Sequence, residues 1–536
     1  MNPRSSETHA GCVSPEINKI DVAFIGGGLA CTLTLLNLIR RLLVTRESGI
    51  DYGRSRLPLQ IAVMDRDGDF GCGSPYGSRA HPMLLLNENV ATMNFSGFVD
   101  WLQEHRDDWM ELLHSKCSLG VKNWLSSNMQ ALGAALQDRS HYLPLYFPRC
   151  IFGLFMREQL SSAITAAEAT SIARVRLIRA NAVSISRLSD GSFAVRAANG
   201  NTIITRVVIL GVGSLPPESS LLEHIPGYVH DLLRPSPEAS LSDVLTALRN
   251  AHGIPRSLAI VGSNAAAMEA IYAIRHQREL TSALHEIILL SPRGQLPAGL
   301  PSRKRSTFEP RMLKQLLQQS DLTADAVLRS AVADIEAARR SGYTSLDYSG
   351  PLIRAFSLVL DLLSLSERRA FVEMYGSAFT ALNRHTPPEY ARSAESFIEE
   401  GRLKILSARV GAVERLSGAS IGFEIHATRL EGSSTVLRVA AVMNCKGSDT
   451  LANTQPPLLK DILKPDRDIA RLNRCGRGID VTETLEASPG VYVIGPLLSG
   501  HASELHAIWN LESAPRIYSL SQTLAGRLEE QLATLR

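Results

Sequence analysis

The segment IDVAFIGGGLACTLTLLNLIRRLL, residues 20–43, constrains the chain most: an apolar run enters three glycines and emerges with helical apolar spacing. That order reads as buried strand, tight turn and helix, the opening of a βαβ unit. Gly26 stands where the turn must be sharp, and Gly28 where the backbone must let a pyrophosphate approach the helix N-terminus. Cys31 occupies the third glycine position of G-x-G-x-x-G and is small enough for helix to pack on strand. A second apolar run, IAVMD at 61–65, ends in Asp65, an acid suited to adenosine ribose hydroxyls. It follows Gly28 by 37 residues rather than the usual ~20, and the polar stretch at 46–58 supplies the excess as a loop.

The same plan returns in SLAIVGSNAAAMEAIYAIRHQ at 257–277. Gly262 takes the turn, Ser263 and Asn264 follow it, and Ala267 stands at the third glycine position. The next strand, HEIILLSPRG at 285–294, ends in Ser291 and Arg293 instead of an acid. A hydroxyl with a guanidinium suits a 2′-phosphate, so this second motif points to NADPH rather than NADH; the alternative is that Arg293 is a solvated loop arginine.

Between the two glycine motifs, residues 175–217 alternate apolar and polar positions, broken by Asp190-Gly191 and Asn199-Gly200. This reads as an antiparallel meander leading into VVILGVG, a buried strand ending in a glycine turn that includes Gly213. The plan recurs over 403–447, whereas 306–383 carries long amphipathic helical stretches without glycine-rich turns.

A length of 536 residues allows three to four domain-sized units, and 45% apolar with 20% charged residues excludes disorder. The 56 basic and 53 acidic side chains leave a net charge of +3, too little to predict a nucleic-acid or anionic-membrane surface. Seven cysteines without a CxxC spacing exclude a dithiol redox centre and a thiolate zinc site of the usual kind, and argue for a reducing compartment. Neither a signal peptide nor a spanning helix is readable, so the expected location is the cytoplasm. No G-x-S-x-G elbow is present and no acid–base pair stands out, which argues against hydrolysis and leaves the catalytic residues unassigned. His501, Glu504 and His506, expected around a helix start, lack the histidine spacing of a helical zinc site and read as polar cleft residues; no metal is expected. Arg384 and His385 read equally as cleft residues or as a capped loop, while Trp101, Trp109 and Trp124 read as helix-packing residues.

In order along nearly the whole chain, five segments carry a family resemblance: DRDGDFGCGSPYG (65–77), LLLNENVATMNFSGFVDWL (84–102), YFPRCIFGLFMREQL (146–160), NRHTPPEYARS (383–393) and VYVIGPLLSGHASELHAIWNL (491–511). With LGVGSLPP at 210–217, they make the chain similar to the FAD/NAD(P)-binding family related to the flavin-dependent lysine, ornithine and aspartate N-hydroxylases. The resemblance implies that Gly26, Gly28 and Asp65 bind the adenosine and pyrophosphate of FAD, that Asn87 and Met93 lie near the isoalloxazine, and that Arg149 supports the flavin. It puts Gly495 beside the ribityl chain and a following helix N-terminus toward the ring. The sequence departs from the pattern at Cys31, Asn264 and Pro496.

The expected architecture is α/β, with two nested Rossmann-like dinucleotide-binding domains for FAD and NADPH, β-meanders and an inserted helical subdomain. The expected boundaries are a flexible N-terminus at 1–19, an FAD domain at 20–220 and 480–536, an NAD(P)H domain at 221–305 and 384–479, and the helical insertion at 306–383. The resemblance implies a monooxygenase that uses NADPH and O2 to hydroxylate the nitrogen of an amino acid or small amine. Alternatives are an NAD(P)H-dependent FAD oxidoreductase without oxygen insertion and a non-catalytic flavin-binding protein.

Overall fold

The computed structural model describes residues 19–48, 58–116, 118–217, 220–299, 308–382, 384–416, 421–453, 455–511 and 513–535. The N-terminal tail through residue 18 and loop residues 49–57 lie outside them.

Two sheets with parallel centres organise the chain. In the first, Lys19–Ile25 lies between Leu59–Asp65 and Thr202–Leu210, parallel to both, with Val22 opposite Ile61 on one side and Val207 on the other. Ala173–Arg179 adds beyond Leu59–Asp65, and Val491–Val493 beyond Thr202–Leu210, so the C-terminal part of the chain completes a sheet begun at residue 19. The central strands are apolar without alternation, as a parallel strand covered on both faces requires, and Val22, Ala23 and Phe24 are fully buried. The meander strands Ala182–Arg187 and Phe193–Ala197 pair antiparallel and attach to the N-terminal half of Thr202–Leu210.

The second sheet repeats this plan with Ser257–Val261 between Glu286–Ser291 and Ala441–Asn444, again parallel on both sides. Leu403–Arg415 pairs in parallel with Glu286–Ser291 through its first half, then antiparallel with Phe423–Arg429 through its second. Its ladder shifts between Val410 and Ala412, a bulge at Gly411 that turns the strand from sheet to meander.

Helix Leu29–Glu47 is buried from Leu29 through Ile39 and packs on the C-terminal helix Ala514–Leu535. Asn37 Nδ2 donates to Ser521 Oγ at 2.9 Å, and Arg41 pairs with Glu529 at 2.6 Å, while Thr45 donates to the other oxygen of that carboxylate. The helical stretch from Arg311 to Leu382 has its own apolar core, including Val327, Leu352, Phe356, Phe371 and Phe379. Trp509, from the C-terminal segment, completes that core and donates its indole N–H to Thr380 Oγ1 at 2.7 Å.

Two helical glycines give opposite expectations. A Cβ at Gly376 would lie 2.3 Å from the Trp509 ring, so Gly376→Ala should destabilise by about 1–3 kcal/mol despite its gain in helix propensity. Gly133 has nothing within 4 Å, so Gly133→Ala should stabilise by about 0.5 kcal/mol. Urea denaturation midpoints of the two variants check both signs.

Candidate functional site

Both central strands end in the same turn. Gly26 has φ +115°, and a Cβ there would lie 2.2 Å from the carbonyl oxygen of Gly211 on the neighbouring strand's exit. Gly262 has φ +113°, and a Cβ there would lie 2.2 Å from the carbonyl oxygen of Cys445. The hydrogen bonds match as well: Gly26 N–H donates to Met64 O and Gly211 N–H to Ile25 O, just as Gly262 N–H donates to Leu290 O and Cys445 N–H to Val261 O. Only glycine meets both the positive φ and the missing space at these two positions.

After each turn a helix begins, and its first amides are the donors a phosphate needs. Gly28 precedes helix Leu29–Glu47 with φ −79° and ψ −174°; Asn264 precedes Ala265–Arg275 with φ −92° and ψ −164°. Both are extended conformations open to any residue, and a Cβ at 28 would make an ordinary 3.5 Å contact with Gly73 Cα. The tight position is Gly73, at φ +62°, whose own Cβ would lie 2.8 Å from Gly28 Cα. Gly73 belongs to the glycine-rich stretch 65–77, which crosses the helix N-terminus and is held there by Gly71 N–H donating to Gly27 O. Asp69, buried beneath it, accepts from Ser78 N–H and Ser78 Oγ.

Asp65 stands at the end of its strand with both oxygens engaged: Oδ2 accepts from Gly27 N–H at 2.9 Å, and Oδ1 from Asp67 N–H and Gly68 N–H. Oδ2 takes one bond here and has capacity for a second, the one a ribose hydroxyl would use. Cys31 is buried against Gly211, and a Cβ at Gly211 would lie 2.4 Å from its sulfur. The thiol thus fills the space left by Gly211 and packs helix on strand; burial pushes its pKa up. Gly213, at φ +81°, lies two residues past Gly211 on the same strand exit. Gly495, at φ +84°, ends the strand Val491–Val493 with room for a Cβ only 3.1 Å from Ala30, in the first turn of helix Leu29–Glu47. Gly26, Gly28, Asp65 and Gly495 therefore converge on one helix N-terminus, and the narrow approach at Gly26, Gly28 and Gly73 fits a dinucleotide pyrophosphate.

Beyond this end, Met93 is buried and Asn87 exposed. Arg149, the first residue of helix Arg149–Ala169, is buried; its Nε donates to Leu85 O at 2.8 Å and its Nη2 to Asn87 Oδ1 at 3.3 Å. The same guanidinium forms an ion pair with buried Glu269, on the helix that follows Gly262. Arg149 therefore ties the 85–87 segment to the second nucleotide half. Burial works against its charge, and Glu269, Tyr390 and Tyr76 together more than restore it. Glu88, next in the chain, is largely buried; Oε1 accepts from Ser513 Oγ at 3.2 Å, and Oε2 has no partner among the described residues. Burial raises the Glu88 pKa.

At the second turn, the Ser291 hydroxyl is buried and accepts from Gly294 N–H at 3.1 Å, which holds the loop that carries exposed Arg293. Ser263 lies between Gly262 and Asn264 in the turn itself.

The C-terminal segment departs from expectation. No helix starts directly after Gly495; a 3-10 turn, Pro496–Leu498, leads into a two-stranded hairpin, His501–Ala502 with Ala507–Ile508, and the next helix is Ala514–Leu535. The hairpin displaces the expected helix because Arg368 donates to the carbonyls of Ser503 and Glu504, which a helix would have used itself. His501 is buried in it, and burial followed by the charges of His506 and Arg369 lowers its pKa to about 4. His385, whose Nε2 lies 2.8 Å from Ser349 Oγ, is likewise lowered to about 4 by burial. Arg384 adjoins it at the start of the short strand His385–Thr386. Trp101, Trp109 and Trp124 are all buried. Among the described residues no cluster of metal-ligating side chains occurs.

With this geometry in place, the known proteins fall into line. A family model described as FAD-NAD(P)-binding matches residues 23–215, which hold the first turn, the 65–77 stretch and Gly213. Uncharacterized proteins of Mycobacterium tuberculosis and Mycobacterium bovis are 30% identical over 526 residues, 95% of this chain and 95% of theirs. The chain belongs to the family of these mycobacterial proteins, and its residues 23–215 form an FAD-NAD(P)-binding domain. Among solved structures, the fold is shared with the ornithine N-hydroxylase of Kutzneria sp. 744 (TM-score 0.55, 14% identity, 96% of this chain and 99% of that one). It is shared as well with the FAD-bound cadaverine monooxygenase of Erwinia amylovora (TM-score 0.53, 11% identity, 96% and 95%). The ornithine hydroxylase of Pseudomonas aeruginosa also matches (TM-score 0.52, 12% identity, 96% and 99%).

Gly28→Ala separates cofactor space from fold. Its Cβ would sit 3.5 Å from Gly73 Cα, an ordinary contact, so the variant should fold with near-normal stability yet lose FAD, measured as the flavin absorbance that co-purifies. Full flavin occupancy would contradict the placement.

The buried histidines set a pH dependence. The unfolded chain binds their protons near 6.5 and the folded chain only near 4, so stability is complete above 6.5 and falls as pH drops toward 4. The loss is at most about 3 kcal/mol per histidine. Thermal midpoints from pH 7 to 4.5 should fall less steeply for His385→Gln than for the unsubstituted protein.

Proposed function

We propose that this protein is an FAD- and NADPH-dependent monooxygenase that hydroxylates the nitrogen of an amino acid or small amine. The carrying observation is the pair of matched glycine turns on one chain, at Gly26 and Gly262, each opening onto a helix N-terminus beside a parallel sheet. The shared fold with ornithine N-hydroxylase and cadaverine monooxygenase structures supports the substrate class. The lack of a CxxC pair argues against a dithiol as the electron acceptor.

Gly26, Gly28, Gly73, Asp65 and Gly495 would hold FAD, and the Gly262–Asn264 turn with Arg293 would hold NADPH. When bound, the flavin supplies hydride acceptance from NADPH and activation of O2. The chain's part is to orient and to exclude water. Arg149 and Glu269, by joining the 85–87 segment to the helix after Gly262, would fix the two nucleotide sites relative to each other. Glu88, buried with one oxygen unpartnered, would hold or release a proton at that oxygen near the flavin end. The described residues include no helix long and apolar enough to cross a membrane, and a cytoplasmic enzyme is our reading of the free thiols among the described residues.

Incubation with NADPH, O2 and a panel of amino acids and amines should give one product heavier by one oxygen on nitrogen, with NADPH oxidation dependent on O2. Rapid NADPH turnover without O2 would overturn the reading. Arg293→Ala should weaken NADPH by about 1.5–3 kcal/mol and NADH far less, since only the former presents a 2′-phosphate. Equal losses, measured from steady-state KM values, would count against NADPH.

A further inference from the structure

A cleft of about 500 Å³ opens between helices Leu119–Ala134, Ala265–Arg275 and Pro388–Glu399. It lies at the far end of Ala265–Arg275 from the Gly262 turn, a helix length of about 16 Å away, so it is separate from the nucleotide turns. Its volume is within the range of small-molecule sites.

The polar groups in its wall are unevenly satisfied. The Glu389 side chain is only 11% exposed, yet Oε2 has no hydrogen-bond partner among the described residues. Its other oxygen lies 3.5 Å from Asn128 Nδ2 and 3.7 Å from Arg392 Nη2, both too long to be good hydrogen bonds, and burial raises the carboxyl pKa against its own backbone N–H, Arg392 and Asn128. Arg392 is itself 61% exposed, so it is loosely held at the mouth. His276 places Nδ1 2.8 Å from the carbonyl of Tyr272. A carbonyl only accepts, so Nδ1 carries the proton and Nε2 is left as an acceptor. Burial lowers the His276 pKa, which keeps that acceptor available. Behind the lining Trp124, which donates its indole N–H to Tyr146 O, the Tyr146 hydroxyl is buried without a partner among the described residues and lies within the field of Glu389.

The lining therefore holds two acceptors short of donors, a Glu389 carboxylate oxygen and His276 Nε2, while Arg275, which also lines it, is engaged by Glu400 and Ser396. Arg392 adds an exposed guanidinium, and Trp124 and Tyr272, almost fully buried, back the lining. An ammonium group has three donors and no acceptor, which answers the two acceptors; a carboxylate answers Arg392. We propose that this cleft is a second small-molecule site, selective for an aminoalkanoate zwitterion, with its ammonium on Glu389 and its carboxylate on Arg392.

The proposal stands apart from the oxidoreductase reading and is tested by binding. Calorimetric titration of the full-length protein, purified with its flavin, uses 4-aminobutyrate and 6-aminohexanoate, with butylamine and butyrate as single-charge controls. The expected result is one saturable site per chain for at least one zwitterion, with butylamine at least 10-fold weaker and butyrate weaker still. Glu389→Gln, which keeps the side-chain shape, should weaken binding at least 10-fold, whereas Arg392→Ala should bring the zwitterion down to the affinity of butylamine. Ser127 is exposed on the helix at the cleft, so Ser127→Trp should block access while leaving the flavin absorbance and NADPH oxidation without probe unchanged. Absence of saturable binding, butyrate binding as tightly as the zwitterion, or binding indifferent to both Glu389→Gln and Ser127→Trp would each overturn the proposal.

Discussion

The whole arrangement depends on a backbone crossing that admits no Cβ. Where Lys19–Ile25 turns into its helix, the exit of Thr202–Leu210 passes so near that Gly211 O would touch a Cβ at residue 26. Parallel register brings the two exits together, since Ile25 lies opposite Leu210 and Gly211 N–H then donates to Ile25 O. The helix therefore starts directly above the sheet, and its unsatisfied amides point across the ends of the strands. The second sheet meets the identical requirement with Gly262 under Cys445 O. Two such turns are what give this chain its two helix N-termini at strand ends, where α/β sheets bind ligands.

The halves so formed are joined by a charge pair that neither requires for its own sheet. Arg149 and Glu269 are both buried, and an ion pair taken out of water is stable only when its remaining donors are also engaged. Arg149 meets that condition through Leu85 O and Asn87 Oδ1. Leu85 N–H in turn donates to Tyr390 Oη, so one short segment is held from both sides by residues 64 and 305 positions away. The position of Asn87 and Glu88 follows from this clamp, because the segment 84–88 has almost no regular structure of its own, whereas Met93 sits in a short helix, Val90–Met93, capped by Asn89.

How much was legible in the sequence follows from the range of each interaction. Strands such as Lys19–Ile25 and Ser257–Val261, and the glycine turns after them, announce themselves locally: an apolar run, a φ only glycine adopts, then helical spacing. The Arg149–Glu269 pair spans 120 residues, and no periodicity connects its members. Gly73 was visible only as part of a glycine-rich stretch; its role depends on meeting Gly28 in space. The hairpin at 501–508 misled for a physical reason. HASELHAIWNL has polar and apolar spacing compatible with a helix, but Gly500 at φ +90° breaks its start, Arg368 captures its carbonyls, and Trp509 is drawn into the core of the helical insertion. Tertiary contacts from Arg368, 135 residues before Ser503, overrode the local pattern.

The two turns also differ in a way that backbone geometry explains. Residues 28 and 264 share an extended conformation, so neither position demands glycine for its dihedral angles. Glycine is required at 73, where φ is +62° and a Cβ would lie 2.8 Å from Gly28 Cα, because the 65–77 stretch returns across the first helix N-terminus; a Cβ at 28 would make only an ordinary 3.5 Å contact. The first turn is thus enclosed by a second layer of backbone, held by Gly71 N–H on Gly27 O and by Asp65 on the amides of Gly27, Asp67 and Gly68. After Gly262 the corresponding strand runs into Pro292 and exposed Arg293 rather than into a glycine-rich return. An enclosed turn suits a nucleotide that stays bound through many turnovers, and a turn edged by an exposed arginine suits one that comes and goes, which is the division of labour that the proposed assignment of FAD to the first turn and NADPH to the second requires.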